Sequence, residues 1–193
     1  QCGQKVKAQD RTGRVWHTQG SGKSLTMIFA GYKLRHDARL DNPLVLIVVD
    51  RSDLKKQLGD DFLDCDYPNI AKALGVRDLR DKIANDRRET VVTTIQCFQR
   101  MDDLKPNERD GIICLVDEAH RSQKGKGAGF AMTMRAKLPQ SFRFGFTGTP
   151  IDRTLINTHR DFGPVRDNVQ ERYLSRYGIR QAIRDGATVP VHF

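Results

Sequence analysis

Short, continuous apolar runs are the most regular feature of this chain. Residues 44–49 and 112–116 contain only apolar side chains, and residues 90–94 form a third run of β-branched character. Because alternation disappears when a strand is buried on both faces, such runs are typical of parallel strands inside an α/β domain. Residues 14–16 and 142–147 predict two further strands. The pattern therefore predicts an α/β fold with a mostly parallel central sheet.

Segments of helical character lie between the predicted strands. The predicted helices cover residues 24–35, 53–62, 77–88, 95–100, 131–138 and 177–184. Residues 152–176 show little periodicity, and residues 188–193 are predicted to be extended. Strands that alternate with helices favour a three-layer architecture, in which helices cover both faces of the sheet.

A glycine-rich loop lies between the first predicted strand and the first predicted helix. Gly20 and Gly22 lack Cβ atoms, so the backbone can curl and point successive N–H groups at a polyphosphate. Lys23 can then reach the β and γ phosphates, and Ser24 opens the helix with a hydroxyl for Mg²⁺. The residues predicted to surround the polyphosphate are Thr18, Gln19, Gly20, Ser21, Gly22, Lys23 and Ser24. His17 occupies the position of the first glycine in the usual G-x-x-x-x-G-K-[ST] pattern, so an ordinary glycine-rich turn stays open as an alternative.

Paired carboxylates follow the buried strand at residues 112–116. In open α/β sheets, ligands collect beyond the carboxyl ends of the strands, so Asp117 and Glu118 are predicted to form the second half of a nucleotide site. Asp117 is predicted to hold Mg²⁺ through water, and Glu118 to orient and polarise the water that attacks the γ-phosphate. His120 is interpreted as a coupling residue of the same catalytic group. The alternative for His120 is a satisfied polar residue under a helix start.

Two further segments carry candidate roles. Thr147, Gly148 and Thr149 form a tight turn after the last predicted strand, where the hydroxyls can sense what the carboxylates hold, although simple turn chemistry explains the same residues. Lys124 and Lys126 lie in a short, glycine-rich basic segment. A loop of this kind can follow a DNA backbone, because that needs positive charge more than base-specific geometry.

Charge is distributed unevenly along the 193 residues, whose net charge is +9. Residues 1–36 carry seven Lys or Arg and one acid, and residues 119–151 carry six and none. These basic segments coincide with the glycine-rich loop and with the stretch after Asp117 and Glu118, as expected where polyanions approach one side of a molecule. A solvated basic face without a partner is the alternative.

Composition excludes several other classes of protein. The chain is 38% hydrophobic and 30% charged, and no run approaches the roughly 20 apolar residues that span a membrane. The first residues show no signal-peptide pattern, which favours a cytoplasmic location. The four cysteines never form C-x-x-C, so zinc is not expected, and Cys114 is predicted to be a small buried thiol.

The order of these motifs resembles that of superfamily 2 helicases. The resemblance rests on Gly-Ser-Gly-Lys-Ser, Val-Asp-Arg-Ser-Asp-Leu-Lys-Lys-Gln, Val-Thr-Thr-Ile-Gln, Asp-Glu-Ala-His-Arg-Ser and Phe-Thr-Gly-Thr-Pro, which look like motifs I, Ia, Ib, II and III. Residues 16–24, 117–122 and 177–190 are most similar to the motor (R) subunit of type I restriction enzymes. That family has its own version of the loop, with His17 included.

This resemblance implies the fold of a P-loop NTPase. Residues 1–151 would be the first of two RecA-like motor domains, and residues 152–193 its end and the start of a connection to the second. It implies MgATP hydrolysis by Lys23 and its neighbours, coupling through Thr147 and Thr149, and backbone phosphate contacts by Arg51 and Thr94.

The resemblance also implies a function and partners. The chain would be part of an ATP-dependent double-stranded DNA translocase that works with methyltransferase and specificity subunits. The family's nuclease domain and second motor domain would lie outside these residues, so the chain alone is expected to be nearly inactive. A strand-separating helicase, and a non-catalytic nucleic-acid-binding module with a degenerate nucleotide site, are the alternatives.

Overall fold

A single parallel sheet organises the part of the chain that the structure describes. The computed structural model describes residues 11–50, 69–85, 87–101, 103–118, 130–149, 152–153, 156–157, 162 and 173–189. The strands are β1 Thr12–His17, β2 Leu44–Val49, β3 Ile70–Lys72, β4 Thr90–Thr94, β5 Ile112–Val116, β6 Phe142–Thr147, β7 Asp152–Arg153, β8 Ile156–Asn157 and β9 Ser175–Tyr177. Seven of them form one sheet in the order β3-β4-β2-β5-β6-β1-β9, with every neighbouring pair parallel. The predicted α/β fold is confirmed, and the strands β7 and β8 form a separate antiparallel pair.

Helices cover both faces of this sheet. They are α1 Lys23–Arg35, α2 Val76–Ala84, α3 Ile95–Gln99, α4 Phe130–Lys137 and α5 Ile179–Arg184, with a 3₁₀ turn at Ala38–Leu40. Alternate residues of β2 face the two sides: Leu46 packs in a cluster with residues of α2, α3 and α4, whereas Ile47 packs in a cluster with residues of α1. All six residues of β2 and all five of β5 are buried. The uninterrupted apolar runs therefore reflect burial on two faces.

Two of the predicted helix boundaries differ from the structure by more than one residue. The helix predicted over residues 77–88 ends at Ala84, because Glu89 already accepts a backbone hydrogen bond from Val45 and the chain is turning into β4. The last helix begins at Ile179 rather than at Tyr177, since Tyr177 is paired with His17 in the sheet. The helix predicted at residues 53–62 lies outside the described residues.

The strands β3 and β9 were not predicted from the sequence. Each has three residues and lies at an edge of the sheet. Ser175 and Arg176 of β9 are exposed, so this strand lacks the apolar run that marks the central ones. Edge strands are commonly short and polar, because one side of their backbone faces solvent.

Cys114 lies in the middle of β5 and is fully buried. Burial raises the pKa of its thiol to about 12, so the sulfur stays protonated at neutral pH. The predicted small buried thiol is confirmed. Its role is packing in the cluster between the sheet and α2 to α4.

Candidate active site

The sheet topology brings three sequence motifs together at the end of the sheet where the parallel strands have their carboxyl termini. The strand β6 pairs with β1 on one side and with β5 on the other, and all three strands are parallel. Their carboxyl ends are followed by the glycine-rich loop, by Asp117 and Glu118, and by Gly148 and Thr149 respectively. Residues separated by about a hundred positions along the chain therefore share the region where open α/β sheets bind ligands.

The glycine-rich loop has the backbone conformation that its glycines predict. Gly20 and Gly22 have φ angles of 76° and 77°, in the left-handed region that side chains other than glycine rarely adopt. Gly22 caps α1 without any side-chain hydrogen bond, and the first turn of that helix contains no acidic residue. The Ser21 hydroxyl donates to the Thr18 carbonyl at 2.5 Å and tightens the turn. The N–H groups at the start of α1 are thus available to an anion.

His17, which replaces the first glycine of the usual loop pattern, needs no glycine-like backbone conformation. It is the last residue of β1 and pairs with Tyr177 of β9. Positive φ among the described residues other than glycine occurs at Asp41, Asn42, Asn69 and Glu118, and His17 is not among them. Burial, followed by the positive charge of Lys23, lowers the pKa of the His17 ring and keeps it neutral at pH 7. A side chain therefore costs nothing in backbone conformation at this position.

Lys23 and Glu118 of the carboxylate pair lie close together beyond the carboxyl ends of the strands. The Lys23 ammonium lies 4.0 Å from a Glu118 carboxylate oxygen, and the two side chains are only 10% and 15% exposed. Glu118 holds a φ angle of 47°, which is uncommon for a residue with a side chain and costs on the order of 1 kcal/mol. The two predicted halves of the site are therefore in contact.

Asp117 is the buried member of the carboxylate pair. Its N–H donates to the Val48 carbonyl at 2.8 Å, and one carboxylate oxygen accepts from the Glu118 N–H at 2.9 Å. Burial raises the pKa of Asp117, and the negative charges of Glu118 and Asp50 raise it further, against the opposing effect of Lys23. A carboxylate that is costly to ionise in this way is stabilised by a cation. Asp50, at the end of β2, was not predicted to belong to the site.

The turn after β6 packs directly on the glycine-rich loop. The Thr147 hydroxyl is buried and accepts from the Thr149 N–H at 3.1 Å. A Cβ atom added to Gly148 would lie 3.3 Å from both the Gln19 nitrogen and the His17 carbonyl oxygen. The Trp16 indole also donates to the Gly148 carbonyl at 3.1 Å. The turn at Thr147, Gly148 and Thr149 is therefore in direct contact with the glycine-rich loop and with β1.

Gly148→Ala is expected to destabilise the chain by about 1 kcal/mol, because the added methyl group must push against backbone on both sides. Urea unfolding would measure the change. Gly111→Ala is the matched control, since a Cβ there meets nothing within 4 Å and is expected to be neutral or slightly stabilising. Equal midpoints for the two variants would contradict the close packing.

The residues predicted to contact DNA are only partly within the described part of the chain. Thr94 ends β4, where its hydroxyl accepts from the Cys97 N–H at 3.2 Å and caps α3. Gln96 of the same motif donates to the Asp50 carbonyl at 2.9 Å, so it links the ends of β4 and β2. Arg51, Lys124 and Lys126 lie outside the described residues, as does His120. Their roles stay predictions.

A parallel sheet with a Gly-Lys-Ser loop in contact with a carboxylate pair defines the class of protein. It is a P-loop NTPase domain of the RecA-like kind. Comparison with known proteins then identifies the family: the model for the SWI2/SNF2 ATPase matches residues 1–193, and the chain belongs to that family.

Curated relatives confirm the predicted resemblance to type I restriction enzymes. The chain is 37% identical to the HindI endonuclease subunit of Haemophilus influenzae, over 96% of its own length and 18% of the relative. It is 34% identical to the putative MjaIXP endonuclease subunit of Methanocaldococcus jannaschii, over 95% of its own length and 17% of the relative. The chain thus spans less than a fifth of these two proteins.

Solved structures share the fold. The Sulfolobus solfataricus SWI2/SNF2 ATPase core in complex with dsDNA aligns with a TM-score of 0.57 at 21% identity, over 74% of this chain and 29% of that one. A fragment of a putative HsdR subunit of a type I restriction enzyme from Vibrio vulnificus aligns with a TM-score of 0.58 at 20% identity, over 92% of this chain and 28% of that one.

Within the described part of the chain, no helix is both long and apolar enough to cross a membrane.

Proposed function

We propose that this chain is the ATP-binding part of a motor that moves double-stranded DNA within a type I restriction enzyme. The observation that carries the proposal is the contact between Lys23 and Glu118 beside the buried Asp117. A lysine, two carboxylates and free helix N–H groups at one sheet edge are the groups that binding and hydrolysis of a nucleoside triphosphate require.

The residues present fit MgATP. Backbone N–H groups of the loop and the start of α1 would surround the phosphates, with the left-handed Gly20 and Gly22 allowing the close approach. Lys23, now held by Glu118, would turn to the terminal phosphates. Ser24 and Asp117 supply the oxygen donors that Mg²⁺ prefers, and the charges around Asp117 favour a cation. Mg²⁺, when bound, would neutralise charge on the β and γ phosphates.

Glu118 would act on the attacking water. Its carboxylate accepts a hydrogen bond from that water and holds it in line with the γ-phosphorus, while Lys23 stabilises negative charge on the phosphate oxygens. The Thr147–Thr149 turn, which packs on the loop, would transmit the change on phosphate release, and His120 would serve the same coupling. These steps assign Lys23, Glu118 and His120 to catalysis.

DNA would bind along the same side of the molecule. The basic segments at residues 1–36 and 119–151 would hold backbone phosphates without reading sequence, with contacts from Arg51, Thr94 and the lysines 124 and 126. Methyltransferase and specificity subunits would supply target recognition. The relatives are named endonuclease subunits, which supports an assembly of several subunits. We place this assembly in the cytoplasm.

The proposal is tested by titrating the chain with a fluorescent, non-hydrolysable ATP analogue, with Mg²⁺ and with EDTA. Tight binding that depends on Mg²⁺ is expected. Absence of binding in both conditions would contradict the proposal and favour a non-catalytic module.

Asp117→Asn is expected to weaken the Mg²⁺-dependent binding of the analogue about 10- to 100-fold while it raises the free energy of unfolding at pH 7. The folded-state pKa of Asp117 lies above its ordinary value of 3.8, so its ionisation costs stability at neutral pH. That cost grows as the pH rises from 3.8, where the unfolded chain begins to ionise, and is complete above the folded-state pKa; it falls towards zero below pH 3.8, where the carboxyl is mostly protonated in both states. The advantage of the variant should therefore disappear in acid.

Asp110→Asn is the matched control for Asp117→Asn, since Asp110 is exposed near the opposite end of β5. Titration of the analogue and urea unfolding at pH 7 and at pH 3.5 would measure both effects. A loss of stability at pH 7 would show that the surroundings of Asp117 do not penalise its charge.

A further inference from the structure

The glycine-rich loop, which we call the phosphate loop from here on, comprises residues 18–22. It directly follows β1, a strand with a neighbouring strand on each side. β1 pairs with β6 on one side and with β9 on the other. The pairing with β9 continues one residue beyond β1, because the Thr18 N–H donates to the Tyr177 carbonyl at 3.0 Å. The first residue of the loop is thus still attached to the edge strand.

Side chains of β9 hold the two residues that precede the loop. The His17 Nε2 atom lies 2.8 Å from the Ser175 hydroxyl, and the His17 ring meets the Tyr177 ring edge-on with centroids 5.9 Å apart. The Arg176 guanidinium lies 4.6 Å from the centre of the Trp16 ring, within the range of a cation–π contact. Three successive residues of β9 therefore contact His17 and Trp16.

The edge strand is itself tied to the following helix. The Tyr177 hydroxyl donates to an Asp185 carboxylate oxygen at 3.0 Å, just after α5. On the other side of β1, the Trp16 indole donates to the Gly148 carbonyl. The start of the loop is fixed from both directions, whereas its two left-handed glycines are the most permissive residues of the backbone.

We propose that Ser175–Tyr177 form a brace that fixes the phosphate loop in its binding conformation, with His17 and Ser175 as its positioning residues. The inference rests on the proposed ATP-binding function. A loop that is already ordered loses less conformational entropy when it binds phosphates, so its affinity is higher. Burial keeps the His17 ring neutral, which leaves one ring nitrogen as a donor and the other as an acceptor. His17 therefore supplies a side-chain anchor at the position where the usual pattern has only a glycine.

The test measures amide hydrogen exchange of Thr18, whose N–H is bonded to the Tyr177 carbonyl, without nucleotide, together with the affinity for the ATP analogue. His17→Ala and Ser175→Ala are each expected to speed exchange about fivefold, the factor that one hydrogen bond of average net strength is worth. Each substitution should lower the affinity for the ATP analogue by a similar factor. The double variant should be no worse than His17→Ala alone, because Ser175→Ala removes only a bond that His17→Ala already removes, whereas His17→Ala also removes the contact with the Tyr177 ring. Ser175 is exposed, so its substitution leaves the core intact.

Three further measurements separate positioning from a general loss of structure. His17→Gln, whose amide reaches the same place as Nε2, should restore slow exchange, and His17→Gly should not. Exchange in residues 44–49 of the central strand should stay unchanged in every variant. His36→Ala, which removes a ring at the far end of α1, is the matched control.

The two proposals fail in different ways. Unchanged exchange of the Thr18 amide in His17→Ala and Ser175→Ala would overturn the brace, whether or not the chain binds nucleotide. If the wild-type chain binds no analogue, the proposed function fails, and the exchange measurement still decides the brace.

Discussion

Replacement of Lys23 by alanine is expected to weaken binding of the ATP analogue about 100-fold or more. The Lys23 side chain is only 10% exposed, and its ammonium lies 4.0 Å from a Glu118 carboxylate oxygen, at the start of the helix that follows the loop. Charge-assisted hydrogen bonds to phosphate are worth roughly 1.5–3 kcal/mol each, and a buried lysine can make more than one of them. Without the Lys23 ammonium, the negative charges of the terminal phosphates and of Glu118 would lack one compensating positive charge.

Lys33→Ala is the matched control for Lys23→Ala. Lys33 lies in the last turn of the same helix and is exposed, so its substitution changes the net charge equally and leaves the loop intact. Titration of both variants with the analogue, with circular dichroism to verify folding, measures the effect. Similar dissociation constants for Lys23→Ala and the wild type would contradict the role of Lys23.

The second large effect concerns hydrolysis. The chain of 193 residues is expected to hydrolyse ATP about 10³- to 10⁵-fold more slowly than a full-length relative stimulated by DNA. Hydrolases of this kind use an arginine from a second domain or a partner to stabilise charge on the phosphate in the transition state. The curated relatives extend well beyond the matched segment, which makes the subunit of Haemophilus influenzae a suitable comparison.

Glu118→Gln is the control for any residual hydrolysis. Its amide keeps the size of the side chain but cannot polarise water as a carboxylate does, so the residual rate should fall while the analogue still binds. A phosphate-release assay on the wild type, the variant and the relative measures the three rates. Hydrolysis by the 193-residue chain within about tenfold of the relative would contradict a need for a second domain.

Much of the fold could be predicted because the central strands carry local signals. The bounds predicted for β2, β4, β5 and β6 coincide with those in the structure. Apolar runs of this kind are visible in the sequence because both faces of each strand are buried. The strands β3 and β9 lie at the edges, bury less and carry no such run, so only the backbone pairing reveals them.

Part of the geometry of the candidate site could also be predicted. The sequence predicts a turn with left-handed glycines before Lys23, and Gly20 and Gly22 have that conformation. Asp50 was missed, although it directly follows a buried strand that neighbours β5. The contribution of Asp50 is a charge that acts on Asp117 through space, and no local pattern of residues encodes that distance.

The sequence by itself determined the class of fold and the positions of the glycine-rich loop and the acidic pair, because each depends on residues that are adjacent along the chain. The tertiary structure decided that the loop meets the acidic pair through Lys23 and Glu118, and that His17 is held by Ser175, 158 residues away. Such contacts form only when parallel strands place distant segments side by side at one edge of a sheet. His17 departs from the usual loop pattern in sequence, and its partner in β9 provides the physical reason.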